Sequence, residues 1–219
     1  MKGAKLDTAV FGECKTAEAA EVCADNLIKD AQIGRLTVSW TQGFKKDPVT
    51  GKPLLDADGK LTYAKLYAYG GRSFSIIDPL TKQIVWDSGS GFERKIAALF
   101  PEQFNSNHES FKFDDRSDNK GPEPEGVALG KIGRKTFAFI GLERASGIMV
   151  YDISNPEQAQ FVQYFNARGL SQPGTVKQGD LGPEGLIFIA ADKSPNGKPL
   201  LVVGNEVSGS TAVYEVKLL

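Results

Sequence analysis

Along most of the chain, apolar residues gather in short runs rich in β-branched and aromatic side chains, and Gly, Pro, Asp or Asn closes each run. That texture predicts short strands joined by tight turns. The predicted strands are 36–40, 65–69, 73–77, 83–87, 127–130, 136–142, 148–153, 161–165, 186–190, 200–204 and 211–216. Helical patterning is confined to two places. One is 16–32, rich in Ala and Glu; the other is 92–100, which Pro101 stops. The stretch 102–123 is polar and turn-rich and predicts a long loop.

The pattern also repeats. Pro124-Glu125-Gly126-Val127 returns as Pro183-Glu184-Gly185-Leu186, and Gly141-Leu142-Glu143 with Val150-Tyr151-Asp152 returns as Gly204-Asn205-Glu206 with Val213-Tyr214-Glu215. A fainter copy precedes them in Tyr67-Ala68-Tyr69-Gly70-Gly71 and Phe74-Ser75-Ile76-Ile77-Asp78. Self-similar units of short antiparallel strands predict an all-β fold, a β-propeller with about three blades visible, behind a short N-terminal helix. A β-sandwich is the competing architecture. The expected division is an N-terminal helical segment at 1–32 and a partial propeller at 33–219, with blades at about 33–100, 121–168 and 180–219. Propellers close with four to eight blades. Three imply that further N-terminal blades, or self-association, complete the ring.

Composition adds exclusions. The chain has 219 residues, 26 Lys+Arg against 27 Asp+Glu, a net charge of −1, and 41% hydrophobic residues. That balance argues against nucleic-acid binding, and no apolar run is long enough to span a membrane or to serve as a signal peptide. A single histidine, His108, rules out HExxH and three-histidine zinc sites, so any metal would be held mainly by oxygens, as Ca²⁺ or Mg²⁺ are. Cys14 and Cys23 are too far apart for a CxxC redox pair; a local disulfide and two free thiols both remain open.

The repeated glutamates are the first candidate site. Glu125 and Glu184 precede a predicted strand, and Glu143 and Glu206 follow the next. In a hairpin, the start of one strand lies beside the end of its neighbour, so the four carboxylates would converge and repel unless a cation neutralised them. The functional reading is a Ca²⁺ or Mg²⁺ site able to hold a phosphate-bearing small molecule; the plain reading is a repeated set of turn caps. The second candidate is the loop carrying Asn105, His108, Asp114, Asp115, Arg116, Asp118 and Lys120, either an anion clamp over the axis or a solvated charged surface. Arg72, after two glycines, would face the axis or simply close a turn. In Asp56-Ala57-Asp58-Gly59, an EF-hand frame would put Leu54 and Lys65 at ligand positions, so the motif reads as a hairpin turn.

Several contiguous stretches resemble the bacterial choice-of-anchor I proteins, β-propellers often labelled alkaline-phosphatase-like. They are Gly70-Gly71-Arg72-Ser73-Phe74-Ser75-Ile76, Val85-Trp86-Asp87-Ser88-Gly89, the run from Arg116 through Asn119-Lys120-Gly121-Pro122-Glu123 to Gly126, Phe139-Ile140-Gly141-Leu142-Glu143-Arg144, and Gly204-Asn205-Glu206-Val207-Ser208-Gly209. The resemblance covers about 33–219. It implies a secreted or cell-surface protein whose propeller extends N-terminal of this sequence. The Pro-Glu-Gly and Gly-x-Glu pattern is also similar to propeller phytases and calcium-dependent phosphatases. Two functions follow as expectations. One is a phosphoric ester hydrolase in which Ca²⁺ on Glu125, Glu143, Glu184 and Glu206 activates water while Arg72, Arg116 and His108 act on the phosphoryl group. The other is a non-catalytic, surface-displayed binding propeller in which the Ca²⁺ is structural.

Overall fold

The computed structural model describes residues 4–16, 18, 20–108, 112–168 and 179–218. The chain forms two compact units, Met1–Gly70 with Ser117–Lys120, and Gly71–Arg116 with Gly121–Leu219.

In the first unit, strand β1 (Lys5–Leu6) runs into helix α1 (Thr8–Phe11), capped by the Asp7 carboxylate, and helix α2 (Ala24–Leu27) follows. β1 pairs in parallel with β2 (Thr62–Tyr63), and Leu6, Ala24 and Tyr63 form the core. The expected helix at 16–32 does not form as one element; among the described residues α2 is its α-helical part, and Ala17 and Ala19 lie outside them. A disulfide joins Cys14 to Cys23 with their Cα atoms 5.1 Å apart. Nine residues of α-helix would separate them by about 13 Å. The Glu21 carboxylate also takes the Lys15 and Thr16 amides, folding the chain back on itself. Nor do 36–40 and 65–69 become strands. They share one bridge, Val38 to Ala68, because Val38 packs inward while Trp40 stays 75% exposed, leaving no alternating face to bury. Asp56–Gly59 is a hairpin turn, as expected: Asp56 accepts from the Asp58 and Lys60 amides and Gly59 is left-handed.

The second unit starts with a hairpin of β3 (Ser75–Ile77) and β4 (Ile84–Asp87), then helix α3 (Gly91–Leu99) and a 3₁₀ turn at Pro101–Gln103. Four strands follow as an antiparallel meander: β5 (Pro124–Ile132), β6 (Lys135–Leu142), β7 (Ile148–Asp152) and β8 (Gln160–Phe165). A second antiparallel sheet has β9 (Pro183–Ile189), β10 (Leu200–Asn205) and β11 (Ser210–Glu215), with β10 in the middle. The architecture is mostly β with few helices, in separate open sheets.

Alternation along β6 builds two cores. Ala138, Ile140 and Leu142 face Phe92 and Ile96 of α3, joined by Met149 and Tyr151 of β7. Phe137 and Phe139 face the second sheet, against Leu201 and Val203. Each of the Ile, Leu, Met, Phe and Val side chains among them, taken fully out of water, contributes roughly 1.5–3 kcal/mol. The two sheets come closest at β5 and β9, where two residues have no room for a side chain. A Cβ on Gly126 would lie 2.4 Å from the Glu184 carbonyl oxygen, and one on Gly130 would lie 2.5 Å from the Phe188 ring. These glycines bring the starts of both sheets, and the glutamates they carry, side by side.

Candidate functional site

The repeat is preserved down to individual hydrogen bonds. The Glu143 amide donates to the Glu123 carbonyl at 2.8 Å, and the Glu206 amide to the Gly182 carbonyl at 2.8 Å. Ala145 donates to the Pro122 carbonyl as Ser208 does to Leu181. Glu123 therefore corresponds to Gly182, Glu143 to Glu206, Arg144 to Val207 and Ser146 to Gly209. Gly182 and Gly209 have φ of 70° and 65°, whereas Glu123 and Ser146 reach 51° and 62° with a full side chain. Holding that conformation costs a non-glycine residue free energy. The first copy therefore carries strain at both positions that the second avoids.

At Glu123 the strained position holds a charge. Its side chain is 1% exposed. Its Oε1 accepts from the Arg116 guanidinium and also lies 3.4 Å from the Arg144 Nε. Arg144 also reaches Glu143 at 3.3 Å and lies against the His108 ring at 2.7 Å. A guanidinium has no acceptor, so the imidazole takes that bond on an unprotonated nitrogen. His108 is 5% exposed, and Arg168 pins its segment from beyond the end of β8, donating to the Asn107 carbonyl at 2.7 Å. Arg72 pairs with Glu93 of α3 at 2.8 Å, and Glu93 also accepts from Asn105. Of the two readings of the loop, the solvated one fails at 105, 106, 108 and 121–123, which are buried, while its other described residues are half-buried or exposed. Asn105, Ser106, His108 and Glu123 are buried, and each side chain meets a partner, respectively Glu93, Arg168, Arg144 and Arg116. Residues 109–111 lie outside the described residues.

Carboxylate oxygens of Glu123, Glu125 and Glu143 all lie within 4.8 Å of one another. Burial pushes the Glu143 carboxyl up to about 7; its hydrogen bond with Glu123 adds to this and the Arg144 charge opposes it. In the second sheet Glu184 is also pushed up, first by its hydrogen bond with Glu206 and then by the charges of Glu206 and Glu125. Glu123, Glu125 and Glu143 thus meet at the end of the first sheet, Glu184 and Glu206 pair at the end of the second, and the Glu125 charge felt by Glu184 links the two groups into an acidic belt. The one sequence signal for Glu123 was an acidic residue where the second copy has Gly182. Arg116 and His108 sit beside the belt, while Arg72 is tied to α3. Lys120, expected beside Arg116, belongs to the first unit.

Two oxygens each about 2.4 Å from a common centre stand at most about 4.8 Å apart, so the Glu123, Glu125 and Glu143 oxygens are spaced to share one hard cation. The ligand set is all oxygen. Zinc would want sulfur or several imidazoles, whereas both cysteines are in the disulfide and His108 faces Arg144.

Fold and site together define a class: an all-β protein of repeated antiparallel sheets whose aligned ends carry a buried acid–base cluster and an acidic belt. The choice-of-anchor I domain model matches residues 2–156, and the chain belongs to that family. The match takes in the residues before Ile33 that the motif resemblance left aside. Gigasin-3a from Magallana gigas is 30% identical over 200 residues, 86% of this chain and 66% of that protein. The mesenchyme-specific cell surface glycoprotein of Strongylocentrotus purpuratus is 30% identical over 105 residues, 42% of this chain and 14% of that protein. This chain therefore spans less than two thirds of either relative. No solved structure matches it.

Proposed function

We propose that this chain is part of an extracellular or cell-surface β-propeller, with β5–β8 and β9–β11 as two of its blades, and that the acidic belt holds a structural Ca²⁺ joining them. The single observation that carries this reading is the approach of carboxylates around Glu125, whose oxygen lies within 4.8 Å of oxygens of Glu123 and Glu143 and whose charge also acts on Glu184 of the second sheet. Location outside the cell is supported by the Cys14–Cys23 disulfide, since such bonds persist in oxidising compartments, and by the relative named as a cell surface glycoprotein. The lengths of the relatives support further sheets of the propeller lying in sequence beyond this chain.

The non-catalytic version fits the geometry better than the phosphoesterase version. A phosphoryl group needs guanidinium donors turned towards it. Here Arg116 and Arg144 bracket Glu123, Arg72 is held by Glu93, and His108 is buried against Arg144.

The test is calcium titration of the chelator-treated protein by calorimetry and thermal melting, alongside p-nitrophenyl phosphate turnover. Saturable binding that raises the melting temperature in wild type, weakens in Glu125→Gln, and brings no turnover is the expected result. An unchanged melting temperature would remove the metal reading, and calcium-dependent turnover would replace the structural role with a catalytic one.

A further inference from the structure

In the first unit, the segments 39–43 and 64–67 are tied together at two points. The Ser39 amide donates to the Tyr67 carbonyl at 2.8 Å, and the Gly43 carbonyl accepts from the Ala64 and Lys65 amides at 2.9 and 3.0 Å. Between these ties one segment has three residues, 40–42, and the other has Leu66 alone. The longer segment must therefore arch away, while Leu66 packs against the core of this unit. The groove this leaves, of about 360 Å³, is lined by Thr41 and Gln42 from the arch, Lys65 and Tyr67 from the opposite segment, and Lys46.

Gly43 lets the Tyr67 ring lie against the backbone of this groove. Its φ is 86°, and a Cβ there would stand 2.1 Å from the Lys65 carbonyl oxygen and 3.1 Å from the Tyr67 ring. Tyr67 nevertheless stays 46% exposed, so an aromatic surface is turned to solvent. None of the lining residues is acidic. Lys5 and Lys45 of the same unit are paired with Asp56 and Asp7, whereas among the described residues neither Lys46 nor Lys65 has an acidic partner. Lys46 instead stands over the Phe44 ring, 5.5 Å from its centroid. The Gln42 amide and the Tyr67 hydroxyl likewise make no hydrogen bond among the described residues. The groove thus gathers two ammonium groups, an aromatic plate and a primary amide that the fold itself does not use.

We propose that this groove binds an acidic saccharide. The Tyr67 ring takes the C–H face of a sugar ring, the Lys46 and Lys65 ammonium groups take its carboxylate or sulfate, and the Gln42 amide bonds sugar hydroxyls. The volume suits a short stretch of a sugar chain. An acidic peptide would satisfy the lysines and leave the aromatic plate without a matching face; a neutral sugar would use the plate and leave the charges unanswered. Every residue of the groove belongs to the first unit, so its occupancy requires neither the acidic belt nor calcium.

The probes are dye-labelled hexamers of galacturonate, of sulfated galactose and of neutral galactose, titrated with the whole chain by fluorescence anisotropy. Chelator keeps calcium from bridging the sugar acids, and about 0.15 M salt screens distant charges. The expected result is saturable binding of an acidic hexamer, about fivefold or more tighter than the neutral one. The tighter of the two acidic hexamers distinguishes carboxylate from sulfate. Tyr67→Ala should weaken binding about fivefold, and Lys46→Gln with Lys65→Gln about fivefold or more. Lys52→Gln with Lys60→Gln removes the same charge at exposed positions outside the groove and should leave affinity unchanged. Circular dichroism of each variant confirms that it is folded. No saturable binding of either acidic hexamer, equal losses from the two lysine pairs, or indifference to Tyr67→Ala would overturn the proposal. So would a hexamer of glutamate that binds as tightly, since the groove would then recognise acidic peptides.

Discussion

Replacing Glu123 by alanine removes one carboxylate and leaves two guanidinium groups facing each other. Glu123 has a side chain 1% exposed and is bonded to Arg116 and Arg144, whose side chains are 18% and 24% exposed. Deleting one partner of a buried ion pair costs roughly 3–5 kcal/mol, because the remaining charge keeps its desolvation penalty. The partial exposure of the arginines places the expected loss near the lower end, about 3 kcal/mol. Alanine also keeps the left-handed strain at φ 51°. Glycine, the residue of the second copy, relieves it and should recover about 1 kcal/mol. Glu123→Gly with Arg144→Val then reproduces the second repeat at both positions and removes one of the two guanidinium groups that have lost Glu123, recovering a further 1–2 kcal/mol or so.

The assay is urea unfolding of the four proteins. Trp86, packed on Phe74 with centroids 5.2 Å apart, reports the second unit. The expected order of stability is wild type, then the double variant, then Glu123→Gly, then Glu123→Ala. For a chain of this length, about 3 kcal/mol corresponds to a fall in melting temperature of about 6–12 °C. Equal stability of the alanine and glycine variants would refute the strain argument. A loss below about 1 kcal/mol in Glu123→Ala would refute the buried-pair argument.

Three further outcomes follow from the same geometry. Gly126→Ala should cost about 1–3 kcal/mol by chemical denaturation, because its methyl meets the Glu184 carbonyl oxygen at 2.4 Å, whereas Gly185→Ala, with nothing within 4 Å, should cost less. Reducing Cys14–Cys23 releases a short loop and should destabilise the first unit by about 3 kcal/mol, read as faster amide exchange at Leu6 and Tyr63. In chelator, the folded state binds the Glu143 proton more tightly than the unfolded chain does. Stability from this group is therefore full below the unfolded value of about 4.5 and is lost as pH rises towards about 7, with a slope of at most about 1.4 kcal/mol per pH unit. Glu143→Gln should flatten that slope, and an unchanged slope would remove the assignment.

Much of the second unit was legible because its strands alternate and its turns use residues with a stated backbone role. The predicted 136–142 and 200–204 differ from β6 and β10 by a single residue at one end. The faint third copy was less so: 74–77 contributes to the β3–β4 hairpin, but 67–69 belongs to the other unit and forms no ladder. The failures share a cause. The pattern at 16–32 carried helix propensity without a stripe to bury, and a covalent bond between Cys14 and Cys23 outweighed it. The loop at 102–123 looked solvated because its residues are polar, yet polar residues bury when their partners arrive from elsewhere. His108 meets Arg144 from 36 positions away, a pairing no local pattern encodes.

The repeat itself offered a stronger signal than the shared glutamates. Where two copies agree, they report what the sheet ends need: the Glu143 and Glu206 amides close the same turn against the same kind of carbonyl. Where they differ at a left-handed position, the copy lacking glycine has accepted strain that its sister shows to be avoidable. Ser146, in place of Gly209, holds φ 62° and accepts from the Gly182 amide of the second sheet at 3.4 Å. Glu123, in place of Gly182, holds φ 51° and binds two arginines. Both strained residues make contacts that glycine could not make. The function of the first copy is therefore best sought at Glu123 and Ser146, with the glutamates common to both copies as the framework around them.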